Sequence, residues 1–337
     1  MTTFEYERPG TIAETVALLE RDQGRDGDRA RLIAGGTDLL TLMKADLLAP
    51  SRLIDIKRLA DLDDVIELNA GDVTIGALAT LTEVERDPVV RATHPALVHA
   101  AAAAASPQLR NMATIGGNLL QRPRCWYFRD SEVPCWLKGG DGCPAVDGEN
   151  QHLAIFNVSP CHAVHPSDLA TALLALDASV TIRSAHGERT VRLEDFFTLP
   201  TDDHRIERSL EFDEIIVSVT IPTRSATAQS VYLKAMDRQA WAFALVGAGV
   251  RLDVQSGVIT DARLALGGVA PIPWRVPDAE ALLIGFAPSA DLFERAAELA
   301  LAGASPLSGN GYKLPLAKTL IRRALTTAAI PNFEGIQ

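Results

Sequence analysis

All four cysteines of this chain fall in one segment, at Cys125, Cys135, Cys143 and Cys161, with 9, 7 and 17 residues between them. A disulfide framework normally staples a small secreted domain, whereas this chain runs to 337 residues. Clustered thiols point instead to a bound metal or cluster. Four thiolates are the usual complement of a [4Fe-4S] cluster, and sulfur is the donor that iron clusters select. The spacing fits no standard zinc finger or ferredoxin run, so structural zinc stays open, with His162 and His165 as further ligand candidates. The segment is rich in Pro, Gly and charge and reads as a loop. Its aromatics Trp126, Tyr127, Phe128 and Trp136 are candidates to shield a cluster from water, and Arg122, Arg124 and Arg129 to offset its negative charge.

The rest of the chain is long enough for two or three domains. Thr11 to Arg21 has helical apolar spacing with Thr11 as cap, Arg31 to Ala34 is a short strand, and Thr37 to Leu48 and Arg52 to Ile56 read as helix and strand. Further strands are expected at Val73 to Ile75, Ser179 to Ile182 and Glu214 to Ile221, with helices at Thr82 to Glu85, Pro95 to Ala105 and Leu169 to Leu176. After about Gln229, strands Tyr232 to Met236 and Ile259 to Leu266 flank the apolar run Phe243 to Val250. Two helices follow, and the basic patch Lys318 to Arg323 reads as the solvated face of a terminal helix. A formal charge of −11 argues against nucleic acid or an anionic membrane as partner. No stretch approaches the roughly 20 apolar residues of a spanning helix. The acidic, polar start MTTFEYERPG is unlike a secretory signal, so a cytoplasmic location is expected, or a periplasmic one through a partner's export signal.

Two glycine turns are the other site candidates. Leu32-Ile33-Ala34-Gly35-Gly36-Thr37-Asp38-Leu39 sets two glycines between a strand and a helix start. Close backbone approach, open amides and a helix dipole suit a phosphate there. Thr114-Ile115-Gly116-Gly117-Asn118-Leu119 repeats the device with two hydrogen-bonding side chains. Each turn alone also reads as an ordinary strand-to-helix connection, and neither is GxGxxG.

In order and spacing the two turns resemble those of the FAD subunits of the molybdenum hydroxylases, the xanthine dehydrogenase, carbon monoxide dehydrogenase and aldehyde oxidoreductase family. His165-Pro166-Ser167-Asp168-Leu169-Ala170 resembles the family's Ser-Asp segment beside the flavin. Tyr232-Leu233-Lys234 with Arg238 resembles its pocket strand, and Ala265 to Pro271 followed by Pro273 its C-terminal signature. The resemblance implies an α+β chain with the vanillyl-alcohol-oxidase (PCMH-type) FAD fold. Two α/β subdomains, residues 1–57 and 58–224, clasp the flavin, with the cysteine loop at 122–165, and an α+β domain follows at 225–330. It also implies that Ala34 to Leu39 wrap the pyrophosphate with Leu32 and Ile33 alongside, and that Thr114, Gly117 and Asn118 form a second wall. Asp168 would hydrogen-bond the flavin (its residue-level alternative is a helix N-cap), and Ile216 or Val217 with Lys234 would lie near the isoalloxazine. Leu40 and Ala105 complete the implied cofactor set. Where many members carry bulky aromatics before the second turn, this chain has Ala100 to Ala105.

Arg124-Cys125-Trp126-Tyr127-Phe128-Arg129-Asp130 with Pro134-Cys135 resembles the [4Fe-4S] loop of the periplasmic aldehyde oxidoreductase type, while the 4-hydroxybenzoyl-CoA reductase flavin subunit spaces its cysteines differently. The function so implied is an electron-transfer subunit, inactive alone and with no catalytic side chain of its own. Its partners would be a molybdenum-cofactor large subunit, a [2Fe-2S] small subunit and an external acceptor. The alternatives are the flavin subunit of a related hydroxylase or reductase, a self-sufficient flavoprotein, or a zinc-stapled nucleotide-binding module.

Overall fold

The computed structural model describes residues 3–22, 29–222, 225, 227–238 and 240–330. The first sheet has three parallel strands, β1 (Glu5–Glu7), β2 (Arg31–Ile33) and β3 (Arg52–Asp55), with β3 in the middle. Parallel neighbours need crossovers. The helix Ile12–Glu20 supplies one, capped as expected by Thr11, whose Oγ1 accepts the Glu14 amide at 3.2 Å. The helix Leu39–Lys44 supplies the other. It is shorter than the apolar pattern suggests, because Asp46 adopts the left-handed region at φ 52°.

The second sheet comprises β4 (Ile66–Asn69), β5 (Asp72–Gly76), β6 (Ser179–Ser184), β7 (Gly187–Arg192) and β8 (Ile215–Ile221), in the order β4-β5-β8-β6-β7 and antiparallel throughout. Strands β4 and β7 carry exposed, charged faces with little apolar alternation, which explains why the sequence pattern does not reveal them. Between β5 and β6 the chain runs through the helices Leu81–Arg86, Pro88–Thr93 and Pro95–Ala103, both glycine-rich and cysteine segments, and the helix Asp168–Ala175.

The third sheet, in the order β12-β11-β10-β9, is an antiparallel meander of β9 (Gln229–Ala235), β10 (Val246–Gln255), β11 (Val258–Gly267) and β12 (Trp274–Arg275). Helices Pro277–Leu283, Ala290–Ala300 and Lys313–Ala328 pack on it through Ala296, Ala297, Ile321 and Ala324, all fully buried. The basic patch on the last helix is less free than expected. Lys318 reaches Glu294 at 2.6 Å and Glu298 at 2.8 Å, and Arg322 also pairs with Glu294.

The helix Asp168–Ala175 joins these units. All eight of its residues are buried. Its far side meets β10 and β11, where a Cβ on Gly249 would lie 3.0 Å from the Thr171 carbonyl oxygen and one on Gly267 2.6 Å from Thr171 Oγ1. Just beyond the helix, Asp177 accepts Arg251 Nη2 at 2.9 Å and Arg263 Nε at 3.0 Å. A cavity of about 200 Å³ there is lined by Asp177, Arg192, Glu194, Arg263 and Arg275, charges of both signs that largely neutralise one another. No helix among the described residues is long and apolar enough to cross a membrane.

Candidate functional site

The two glycine turns touch. Gly35 lies against Met112 and Ala113, so that a Cβ on it would fall 1.7 Å from the Met112 carbonyl oxygen. Hydrogen bonds from Leu81 N to Ala113 O at 2.9 Å and Ile115 N to Ala79 O at 2.8 Å hold the second turn in place. The turns nonetheless differ chemically. In the first, Gly36 has φ +69°, and among the described residues the amides of Gly35 to Asp38 donate to no protein acceptor. Such a run of open amides at a strand-to-helix turn is chemically suited to an anion. In the second, Gly116 N bonds Ala77 O at 3.0 Å, Gly117 N bonds Thr114 Oγ1 at 3.2 Å and Asn118 N bonds Thr114 O at 2.8 Å. Its donors are spent, so it can wall a ligand but cannot hold a phosphate through its backbone. Leu32 and Ala34 are half-buried, Ile33 is buried, and Leu40 turns outward at 37% exposure.

Asp38 does something the motif did not suggest. Its Oδ1 takes Arg124 Nη1 and Arg129 Nη2, each at 2.8 Å, and its Oδ2 takes the Arg122 amide at 2.8 Å. The first turn is thereby tied to the start of the cysteine loop. Arg124 and Arg129, expected to offset a cluster's charge, are turned toward this carboxylate, and Arg122 Nε lies 3.5 Å from Glu207 Oε2.

Asp168 is not the N-cap. That post belongs to Ser167, whose Oγ accepts the Ala170 amide at 2.9 Å and donates to Asn118 Oδ1 at 2.6 Å. The Asp168 carboxylate is buried and bonded by Tyr232 Oη at 2.5 Å and Lys234 Nζ at 2.8 Å. Lys234 also donates to the Ala103 carbonyl at 2.9 Å. Burial raises the Asp168 carboxyl above its usual value even though Lys234 and Tyr232 act to lower it. Ala105 follows in the left-handed region at φ 49°. Ile216 is buried in the main core, and Val217 packs against it while its carbonyl accepts the Ala77 amide. A cleft lined by Arg124, His165, Ser167, Asp168, Tyr232 and Phe243 lies where these segments meet.

His165 is structural. Its ring packs edge-on against Phe197, accepts the Ser167 amide at 3.3 Å and donates to the Leu119 carbonyl. Burial pushes its pKa down to about 3, and that of His94 to about 4. Both rings are therefore neutral when folded, whereas the unfolded chain takes up protons below about 6.5. Stability present above pH 6.5 is lost as pH falls, by on the order of 3 kcal/mol per histidine by pH 4. Urea unfolding at pH 7 and pH 4 should show this loss, and His94→Gln should remove the share that His94 contributes. Equal midpoints at the two pH values would contradict the assignment.

The four cysteines converge in one apolar core with Leu42, Phe128, Trp136, Leu137, Leu153 and Ala163; Cys125, Cys135 and Cys161 are buried and Cys143 half-buried. The loop is not irregular throughout. Trp126–Arg129 forms a helical turn and Trp136–Lys138 a 3₁₀ turn, each starting just after a cysteine. These turns aim amides at sulfur. Tyr127 and Phe128 face Cys125, Leu137 and Lys138 face Cys135, and Ala163 N lies 3.4 Å from Cys161 Sγ. Burial pushes the Cys125 thiol up to about 11 and Cys161 higher still, so neither ionises unaided, whereas coordination deprotonates a thiol outright. Phe128 and Trp136 line this core, while Trp126 stays 36% exposed against His152 and does not shield it.

Among the described residues, no three cysteine or histidine ligand atoms in this loop lie within 4.8 Å of one another.

The sequence matches two family models, the FAD binding domain in molybdopterin dehydrogenase over residues 2–224 and the CO dehydrogenase flavoprotein C-terminal domain over residues 231–328. The chain belongs to the FAD-binding family of molybdopterin dehydrogenases. It is therefore a flavoprotein subunit of an oxidoreductase. It is 39% identical over 97% of its length to the aldehyde oxidoreductase FAD-binding subunit PaoB of Escherichia coli K12, covering 99% of that protein. It is 30% identical to the carbon monoxide dehydrogenase medium chain of Hydrogenophaga pseudoflava, with 96% of each chain covered. The solved carbon monoxide dehydrogenase of that organism superposes with a TM-score of 0.76 at 29% identity, covering 97% of each chain. Quinoline 2-oxidoreductase from Pseudomonas putida 86 gives 0.75 at 27% identity, again with 97% of each chain covered. These family flavoproteins share the PCMH-type fold with its added C-terminal domain.

Proposed function

We propose that this chain is the FAD- and [4Fe-4S]-binding electron-transfer subunit of a heterotrimeric molybdenum-containing aldehyde oxidoreductase. Its partners in this reading are a molybdenum-cofactor subunit and a [2Fe-2S] subunit, with an external acceptor beyond them. Bound flavin supplies the exchange between single-electron donors and a pair-accepting oxidant, chemistry that belongs to the cofactor. The observation that carries the proposal is the gathering of Cys125, Cys135, Cys143 and Cys161 in one buried core, with amides turned to their sulfurs, beside the glycine turns. Similarity to an aldehyde oxidoreductase subunit along nearly the whole chain supports the substrate class.

The chain's own residues orient and insulate. The open amides of Gly35 to Asp38 receive the pyrophosphate, flanked by Leu32, Ile33, Leu39 and Leu40. Thr114, Gly117 and Asn118 form the facing wall. Ile216 or Val217, with Lys234 and Ala105, would lie near the ring system, and Asp168, paired with Lys234, would hydrogen-bond the flavin. A boundary near residue 57 divides the two flavin-clasping units, and one near residue 224 sets off the third domain.

Anaerobic purification followed by an absorption spectrum, with flavin, iron and zinc measured on the same sample, tests this. About four irons and one FAD per chain are expected. Cys161→Ser should lose most of the iron and keep the flavin. Zinc in place of iron would end the cluster reading. Protein that stays colourless after FAD and iron–sulfide reconstitution would end both.

A further inference from the structure

The most unusual charge in the molecule is Lys313, which begins the last helix and has no exposed surface. Among the described residues no carboxylate lies within 4.0 Å of it. Its ammonium instead donates to three carbonyls: His152 at 2.9 Å, Leu153 at 2.9 Å and Gly268 at 2.8 Å. An ammonium has three donors and all three are used. A buried cation without a counter-ion is costly, and here burial draws its pKa down to about 7. Lys313 thus spans two units, because Gly268 directly follows β11 of the third sheet whereas His152 and Leu153 belong to the limb of the cysteine loop that leads to Cys161.

Neighbours extend the same fastening. Asn310 Nδ2 donates to Leu153 O at 3.2 Å and Ala154 O at 2.9 Å. Ala154 N in turn bonds His162 O at 2.8 Å, one residue from Cys161. Asn150 Oδ1 takes the Gly309 amide at 2.7 Å, and Ile155 N bonds Val269 O at 2.9 Å. The opposite limb, at Cys125, is held separately by Asp38 through Arg122, Arg124 and Arg129. The loop therefore has separate anchors on the first glycine turn and on the C-terminal domain, beside a third at residues 200–205, where Pro200 O accepts Ser159 Oγ at 2.8 Å and Arg205 Nη1 donates to Trp136 O at 2.7 Å.

We propose that Lys313 is a positioning residue that sets Cys161 in the sulfur cluster from the C-terminal domain, acting through the Leu153–Ala154 segment and its pairing with His162. The role toward a cluster rests on the cofactor reading above, but the anchoring does not. If Lys313 is replaced by Met, the carbonyls lose their shared donor and the Cys161 limb opens, while the Cys125 limb stays on Asp38.

The test is thiol labelling of the full chain, stripped of metal by a chelator, with each cysteine resolved by peptide mass. Iron and flavin are measured on a separate untreated sample. Lys313→Met is expected to label Cys161 at least about tenfold faster than the parent, since losing even one of the three carbonyl bonds shifts a local opening equilibrium by about that factor, with Cys125 unchanged. Lys313→Arg, which restores several donors, should return the rate toward the parent's. If Lys313→Met does not fold, Asn310→Ala is read the same way and should also favour Cys161. Parental labelling of Cys161 in a folded variant would overturn the proposal, as would equal acceleration at Cys125. Parent protein without iron would end the cluster reading alone and leave the labelling result standing.

Discussion

Substituting Gly35 by alanine is expected to empty the flavin site and to destabilise the fold together. The added Cβ would sit 1.7 Å from the Met112 carbonyl oxygen, 2.7 Å from its carbon and 3.3 Å from Ala113 N. These are backbone atoms, so no rotamer change relieves the overlap. Met112 and Ala113 are held by bonds to Leu109 O at 3.1 and 2.8 Å, and Ala113 O is itself held by Leu81 N. The only relief is to part the two turns that are proposed to grip the cofactor. Overpacking typically costs about 1–3 kcal/mol, and a backbone clash of this depth should reach or pass the top of that range. Flavin retained after desalting, and the urea midpoint of the same sample, measure the two effects. Gly142→Ala is the control, since a Cβ there meets nothing within 4 Å. Full flavin at parental stability in Gly35→Ala would mean that the turns are not apposed in this way.

The second large effect concerns Lys234. Its side chain is 2% exposed and the carboxylate it meets, Asp168, is 5% exposed. Burying such a pair gains little in itself, but breaking it strands a charge, at a cost of about 3–5 kcal/mol. Lys234→Met should therefore be strongly destabilised at pH 8, where Asp168 keeps only the Tyr232 hydroxyl. Burial already raises this carboxyl, and losing Lys234 raises it further. The mutant's carboxyl can then take up a proton on mild acidification, so its deficit should shrink between pH 8 and pH 5. Adding Asp168→Leu to Lys234→Met should recover part of the loss, because the stranded charge is gone. A single mutant as stable as the parent, or a double mutant worse than the sum, would refute this account. Flavin content bears on the site as well, since β9 carries both Tyr232 and Lys234 onto the helix that follows Ser167.

Much of this was open to reading in the primary structure. Thr11 caps its helix, the third sheet and its helices lie close to their patterned positions, and the first glycine turn stands between a strand and a helix, whereas Gly116 and Gly117, expected as a turn, lie inside the short helix Ile115–Leu119 that Thr114 caps. Such features depend on residues a few positions apart, where side-chain periodicity and backbone freedom act directly. Strands β4 and β7 escaped because their exposed faces bury almost nothing that could be patterned.

What the amino-acid sequence determined by itself was the chemistry available: two glycine turns, an acid and a lysine in recognisable segments, and four thiols with no others in the chain. Tertiary structure alone decided which groups meet. Nothing around Asp38 announces that it holds Arg122, Arg124 and Arg129 from 84 or more residues away, nor that Asp168 answers to Tyr232 and Lys234 rather than capping its own helix. Lys313 is the extreme case. In the sequence it is a lysine at the start of an amphipathic helix, which most often faces water. Only the convergence of three carbonyls, two of them about 160 positions upstream, turns it into a buried cation. Burial and charge pairing belong to the space between segments, and local pattern carries no record of it.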